Sequence, residues 1–169
     1  MLGTVRPVVD EKDGLLASLA QQRHALRIAV QELSDEQAAS RPTVSALNLA
    51  GLIKHAARTE RYWIVAVTAQ RASPESSGRD WELEFRMEPG ETLAGLLEEY
   101  AAVARETEAI VAETDLSQPV PVPKGVPWFP QDVESWSACW VLLHLIEEAR
   151  GMPATPTSSA KPSTARAPT

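Results

Sequence analysis

Two of the three histidines in this chain lie where helical spacing can gather groups able to bind a metal ion. His144 sits inside an apolar run, and Glu148 follows four residues later, so the two side chains share one helix face. His55 stands one residue beyond the apolar stripe of an earlier helix, at the edge of the predicted core. A histidine from one helix and a histidine–carboxylate pair from another are suitable donors for a metal site in a helical bundle. The other interpretation is a buried histidine hydrogen-bonded to a carboxylate, with Glu147 and Glu148 paired to arginines.

The sequence does not indicate most other kinds of active site. His24 lies among polar residues and is predicted to be a solvated or packing side chain. The single cysteine, Cys139, lies in an apolar run and is predicted to be a small buried residue. The chain has no nucleophile elbow, phosphate-binding loop, paired-cysteine zinc motif or dinucleotide fingerprint.

Charge and hydropathy restrict the partners. The net charge of -7 and the isoelectric point near 5.0 argue against nucleic acid, because binding to phosphates needs a basic face. Residues 1–10 lack the basic and apolar regions of a secretory signal, and no apolar run reaches the ~18 residues of a membrane span. We therefore expect no membrane partner and a cytoplasmic location.

Apolar residues recur at three- and four-residue steps in four stretches of the chain. They predict amphipathic helices at residues 10–33, 45–70, 92–114 and 132–150. A capping box at residues 34–37 predicts a short helical turn after the first of them. Residues 138–146 are apolar nearly all round, which is typical of the most enclosed helix in a bundle.

Two long connections separate the later helices, at residues 71–90 and 116–130. Within the first connection, residues 81–85 alternate apolar and charged side chains, as a short extended piece does. We predict an all-α fold over residues 1–150, a four-helix bundle with long crossover connections. Residues 151–169 hold four prolines and seven Ser or Thr, too few apolar groups to offset the entropy of ordering, and are predicted to be a disordered tail.

Several stretches together resemble the DinB-like superfamily, in its actinobacterial branch related to mycothiol-dependent metalloenzymes (mini-circle-protein-like). These stretches read SALNLAGLIKH (45–55), RTERYW (58–63), PGETL (89–93), PVP (121–123) and WVLLHLIEE (140–148). The resemblance covers roughly residues 10–150 and implies a four-helix bundle of DinB type.

The resemblance also implies a divalent metal, often zinc or nickel, held by a histidine of the second helix and by an acidic residue and a histidine four apart in the fourth. The metal would lower the pKa of a low-molecular-weight thiol such as mycothiol, whose thiolate attacks an electrophile. By position, His55 matches the first ligand and Glu148 the second. The third position falls on Met152, a poor zinc ligand beside a carboxylate, and Pro153 and Pro156 forbid the continuing helix.

A shift of reading frame would account for this departure. In the branch that the chain resembles, the helix continues as Thr-Ala-Arg-His-Ala-Gly-His-Ala-Asp. Residues 151–157 written as GGC ATG CCG GCC ACG CCG ACA spell His-Ala-Gly-His-Ala-Asp from the third base, and residues 158–162 then permit Ile-Val-Arg-Glu-Ala. Our hypothesis is that a one-base frameshift replaced the native C-terminus; the alternative is a true low-complexity tail.

The sequence thus predicts a metal-dependent thiol transferase or isomerase, impaired by loss of the third metal ligand. His144 is a substitute ligand in this interpretation, because it shares a helix face with Glu148. The alternative function is a non-catalytic helical bundle that acts as an interaction module or forms a homodimer through an exposed face.

Overall fold

The computed structural model describes residues 4–40, 48–77, 81–127 and 129–151, most of which are helical. Its helices are α1 (Glu11–Ala29), α2 (Asp35–Ala39), α3 (Leu49–Arg61), α4 (Trp81–Glu84), α5 (Leu93–Glu113) and α6 (Ala138–Gly151). α3 continues directly into a π-helical segment (Tyr62–Thr68), and a 3₁₀ turn follows at Pro74–Ser77. Strands β1 (Pro119–Pro121) and β2 (Ser135–Ser137) pair antiparallel.

Polar side chains cap the first turns of several helices. Asp10, Asn48 and Thr92 each accept a hydrogen bond from the backbone N–H three residues later, at the starts of α1, α3 and α5. Ser34 and Gln37 form the predicted capping box of α2 in both directions. These caps satisfy amide groups that a helix leaves without a partner, so the sequence specifies where the helices begin.

The long helices pack as a bundle with two adjoining cores. α3 lies along α5, and α1 lies along α6. One core surrounds α6 and the π-helical segment and includes Leu19, Trp63 and Leu142. The other lies between α3 and α5 and includes Ile53 and Tyr100. The predicted DinB-type helical bundle is confirmed, and the long helices position the site described below.

The sequence predicts the fourth long helix from residue 132, but α6 begins at Ala138. The reason is the two-stranded sheet, since β2 occupies the residues immediately before the helix. The Ala138 amide donates to the Gln118 carbonyl at 3.1 Å, which keeps the start of α6 beside β1. Ser137 Oγ then accepts from the Trp140 amide at 3.1 Å and caps the first turn.

Three smaller predictions are wrong. The first long helix ends at Ala29 rather than at residue 33. Residues 81–84 form the helical turn α4 and not an extended piece. Residues 138–146 are not enclosed all round, because Leu143 remains 52% exposed.

The predicted disordered tail lies outside the described residues, apart from Gly151 at the end of α6. That prediction therefore stays a prediction. Among the described residues, no helix is both long enough and apolar enough to cross a membrane.

Candidate functional site

The polar side chains of the site lie on α3, beneath a segment that crosses this helix. We call this segment, residues 84–91, the strap. Gly51 permits its close approach, because a Cβ at this position would lie 2.0 Å from the carbonyl oxygen of Phe85. Any other residue at position 51 would have to displace the backbone of the strap.

Lys54, one turn further along α3, binds the strap through its charge. Its Nζ lies 3.0 Å from Glu88 Oε2 and 2.8 Å from Glu91 Oε1. The Lys54 side chain is fully buried, and a buried ammonium group needs such counter-ions. Burial acts to raise the pKa of Glu91, but the hydrogen bonds from Lys54 and from the Glu88 amide outweigh it and hold that pKa below its ordinary value.

His55 follows Lys54 and is buried against the strap, with only 5% of its surface exposed. Its Nδ1 lies 3.2 Å from Glu84 Oε2, and its Nε2 lies 3.3 Å from the Thr59 hydroxyl. The ring of Phe85 stacks on the imidazole at 4.3 Å between centroids and 25° between planes. The Glu84 carboxylate is also buried, so the histidine is held by partners on both of its nitrogens and on one ring face.

A cavity of about 20 Å³ lies next to His55, large enough for about one water molecule. Glu148 of α6 lines the same cavity. The remaining lining residues come from α1, α3, α5 and α6: Leu19, Leu26, Ala56, Thr59, Glu60, Tyr100, Leu145 and Ala149. The structure therefore brings together the two residues that the resemblance aligns with metal ligands.

Glu60 also lines this cavity, but its carboxylate is already bonded. Arg23 donates to its two oxygens at 2.5 and 3.1 Å, and the Thr107 hydroxyl donates at 2.6 Å. Burial opposes the charge of Arg23, yet the bonds to Glu60 outweigh it and raise the pKa of Arg23. Burial, together with the nearby Glu60 charge, raises the pKa of Tyr100 well above its usual range. This wall of the cavity is a closed network of buried charges.

His144 has different surroundings. Its ring stacks on Trp140 at 4.9 Å and 12°, and meets Trp63 edge to face at 5.2 Å. Trp140 in turn stacks on Trp136 at 4.0 Å. His144 Nε2 lies 3.9 Å from Glu148 Oε1, beyond hydrogen-bond distance. Among the described residues, His144 does not line the cavity beside His55.

Comparison with known proteins places the chain in a family. The chain matches the family model described as mycothiol-S-transferase over residues 14–150, most of its length. The chain belongs to the mycothiol-S-transferase family. It has no match among curated proteins.

Two of the three ligand positions that the resemblance implies fall on described residues. His55 and Glu148 fit two of the three ligand positions that the resemblance implies, since both line one cavity. No group of three or more His, Cys, Asp or Glu side chains in the described part of the chain is placed to hold a metal ion. The third implied position falls on Met152, which lies outside the described residues. The described residues therefore supply at most two of the three protein ligands that the resemblance implies.

Sequence reasoning missed the residues that surround His55 in this mycothiol-S-transferase family member. Glu84 lies in a connection whose alternating residues predicted a strand, and no sequence pattern placed it beside α3. Glu60 stands four residues after Ala56 and three before Trp63, on the face of the apolar stripe, but this spacing does not identify the partners of Glu60 and Lys54, which lie far along the chain. The sequence signal for these contacts was the position of Lys54, His55 and Glu60 next to an apolar stripe. That signal does not identify the residues to which they bond.

Proposed function

We propose that this chain has the architecture of a metal-dependent thiol transferase or isomerase of the mycothiol type, with a metal site left incomplete. The proposal rests on one observation, that His55 of α3 and Glu148 of α6 line the same cavity. These are the two residues that the resemblance aligns with metal ligands. A divalent metal, zinc or nickel, would supply the lowered thiol pKa that such a transfer requires.

The chain's own residues perform the surrounding tasks. Glu84 and Phe85 fix the His55 ring, and the Arg23–Glu60 pair forms a rigid polar wall. α1, α3, α5 and α6 enclose the cavity, which leaves room for little more than one water molecule. The co-substrates of the proposed reaction are a small-molecule thiol and an electrophile.

The incompleteness has a sequence cause. Three protein ligands are the usual number for a catalytic zinc, and the third position is occupied by Met152. We expect metal affinity, and with it thiol transfer, to be much reduced. The frameshift hypothesis explains this loss, and sequencing the coding DNA across residues 147–152 tests it. Codons that do not spell the histidine motif in the alternative frame would end the hypothesis.

Elemental analysis of the purified protein tests the proposed function. Zinc or nickel bound at His55 and Glu148, even weakly, with loss on His55→Ala, supports the metal-dependent transferase architecture. A folded protein that takes up no metal at any concentration favours the alternative, a non-catalytic bundle that binds a partner or a second copy. His144 remains a proposed substitute ligand: metal release by His144→Ala supports that role, and unchanged metal content rejects it.

A further inference from the structure

The strap contacts three residues on one face of α3, one of them small and two of them polar. Gly51 admits the Phe85 carbonyl, Lys54 neutralises two strap carboxylates, and His55 receives the Glu84 carboxylate. These positions are three and four residues apart or adjacent, so they present themselves to the strap together. The strap is thus fixed on both sides of the imidazole.

Glu84 determines which nitrogen of His55 carries the proton. An ionised carboxylate only accepts hydrogen bonds, so the 3.2 Å contact requires a proton on Nδ1. In the neutral imidazole Nε2 is then the unprotonated nitrogen, and the Thr59 hydroxyl donates to it at 3.3 Å. Nε2 therefore lies beside Thr59, a residue that lines the same cavity as His55 and Glu148.

Phe85 restricts the rotation of the His55 ring. Its ring stacks at 4.3 Å on the imidazole, which hinders rotation of the imidazole plane. The hydrogen bond to Glu84 distinguishes the two orientations related by a ring flip. Two adjacent strap residues therefore control both the plane and the orientation of one side chain.

We infer that the strap is a positioning device for His55, in which Glu84 holds the proton on Nδ1 and leaves Nε2 as the unprotonated nitrogen that accepts from Thr59. Glu84 is a positioning residue, because it acts only through His55. The inference deepens the proposed function and rests on it for its purpose. Its structural content concerns the metal-free protein alone. Outer partners of this kind orient ligating histidines and alter metal affinity by about 10–100-fold.

The test is the tautomer of His55, read from the nitrogen chemical shifts of the metal-free protein at a pH where the ring is neutral. We expect the Nδ1–H tautomer in the parent protein. In Glu84→Leu, the Thr59 hydroxyl can accept instead, and we expect Nε2–H to replace Nδ1–H. Glu84→Gln offers both an acceptor and a donor, so we expect a mixture of tautomers.

Glu98→Gln is the matched control, since Glu98 is a carboxylate of α5 whose side chain is 77% exposed. It should leave the parent tautomer unchanged. An Nε2–H tautomer in the parent, or Nδ1–H retained in Glu84→Leu, overturns the inference. If Glu84→Leu does not fold, the parent and Glu84→Gln spectra still decide, because a pure Nδ1–H signal in both contradicts control by the carboxylate.

The readout separates this inference from the proposed function. A parent protein with the Nδ1–H tautomer that takes up no metal supports the positioning role and refutes the metal-dependent function. A parent protein that binds metal, but whose His55 tautomer does not change on substitution of Glu84, supports the proposed function and refutes the positioning role.

Discussion

α3 and the π-helical segment that continues it form one continuous helix with two contrasting halves. His55 lies in the first half, and His144 of α6 packs against the second half. The first half buries charged groups, and His55 is bonded there through both nitrogens. The second half buries aromatic rings around Trp63, and His144 is stacked among them as another flat ring. His55 is thus held by hydrogen bonds and a stacked ring, whereas His144 is packed against the rings of Trp140 and Trp63.

The contrast follows from what each half packs against. The strap and α1 bring carboxylates and Arg23 to the first half, where buried charges are satisfied only as a set. α6 and β2 bring Trp140 and Trp136 to the second half, where stacking and area burial dominate.

The largest effect is expected from Arg23→Leu in the charged half. It leaves the buried Glu60 carboxylate without its main partner, and breaking a buried ion pair costs about 3–5 kcal/mol. Urea denaturation measures this loss. The double variant with Glu60→Leu should recover much of it, because no buried charge then remains. A loss below about 1 kcal/mol in the single variant would mean that the pair is not buried in solution.

Replacement of each histidine by leucine compares the halves directly. His55→Leu leaves the buried Glu84 carboxylate without its Nδ1–H donor, and we expect a loss of about 3 kcal/mol in the free energy of unfolding. His144→Leu keeps an apolar side chain of similar size in the aromatic column, and we expect less than about 1.5 kcal/mol. Equal losses in urea denaturation would remove the distinction between the two histidines.

Acid should lower the free energy of unfolding through the ion pairs of the charged half. The folded-state pKa of Glu91 is depressed below its ordinary 4.5, so its contribution to stability is present above pH 4.5 and is lost as the pH falls through the lower folded value. Lys54→Met removes the largest of the causes that lower this pKa, the hydrogen bond from Lys54. We expect its free energy of unfolding to fall less steeply than that of the parent below pH 4.5. Parallel curves would show that the Lys54–Glu91 contact does not form.

The smallest effect is expected on the outer face of α6. Leu143 is more than half exposed, so Leu143→Gln should change the free energy of unfolding by no more than about 0.5 kcal/mol. The same variant tests the homodimer interpretation by light scattering. A dimeric parent that becomes monomeric on Leu143→Gln would assign this face to association, and a mass unchanged by the substitution would exclude it.

The sequence predicted the helical parts of the molecule well and the polar surroundings of the site poorly. Helix periodicity and the capping box that begins at Ser34 are local signals, so the bundle could be predicted from them. The late start of α6 depends on pairing between β1 and β2, which is a contact distant in sequence. Glu84 reaches His55 only because the strap folds over Gly51, and no local pattern encodes that crossing.

The candidate site was predicted in part for the same reason. His55 and Glu148 could be chosen from a family resemblance, and they do line one cavity. His144 was chosen from its spacing to Glu148, and as a ligand it stays a prediction; spacing does not reveal that its ring stacks on Trp140. The cytoplasmic location, the electrophile, the thiol and the homodimer remain predictions.

The central claim is that the chain retains an oriented half-site at His55 and Glu148 and lacks a third metal ligand. The most direct test replaces residues 149–157 by Thr-Ala-Arg-His-Ala-Gly-His-Ala-Asp, which puts a histidine at position 152, four residues after Glu148. The control replacement carries alanine in place of that histidine. Zinc titration by calorimetry compares both with the parent. We predict at least about tenfold tighter binding in the first replacement than in the control and the parent. Tight stoichiometric binding by the parent, unchanged by either replacement, would contradict the account.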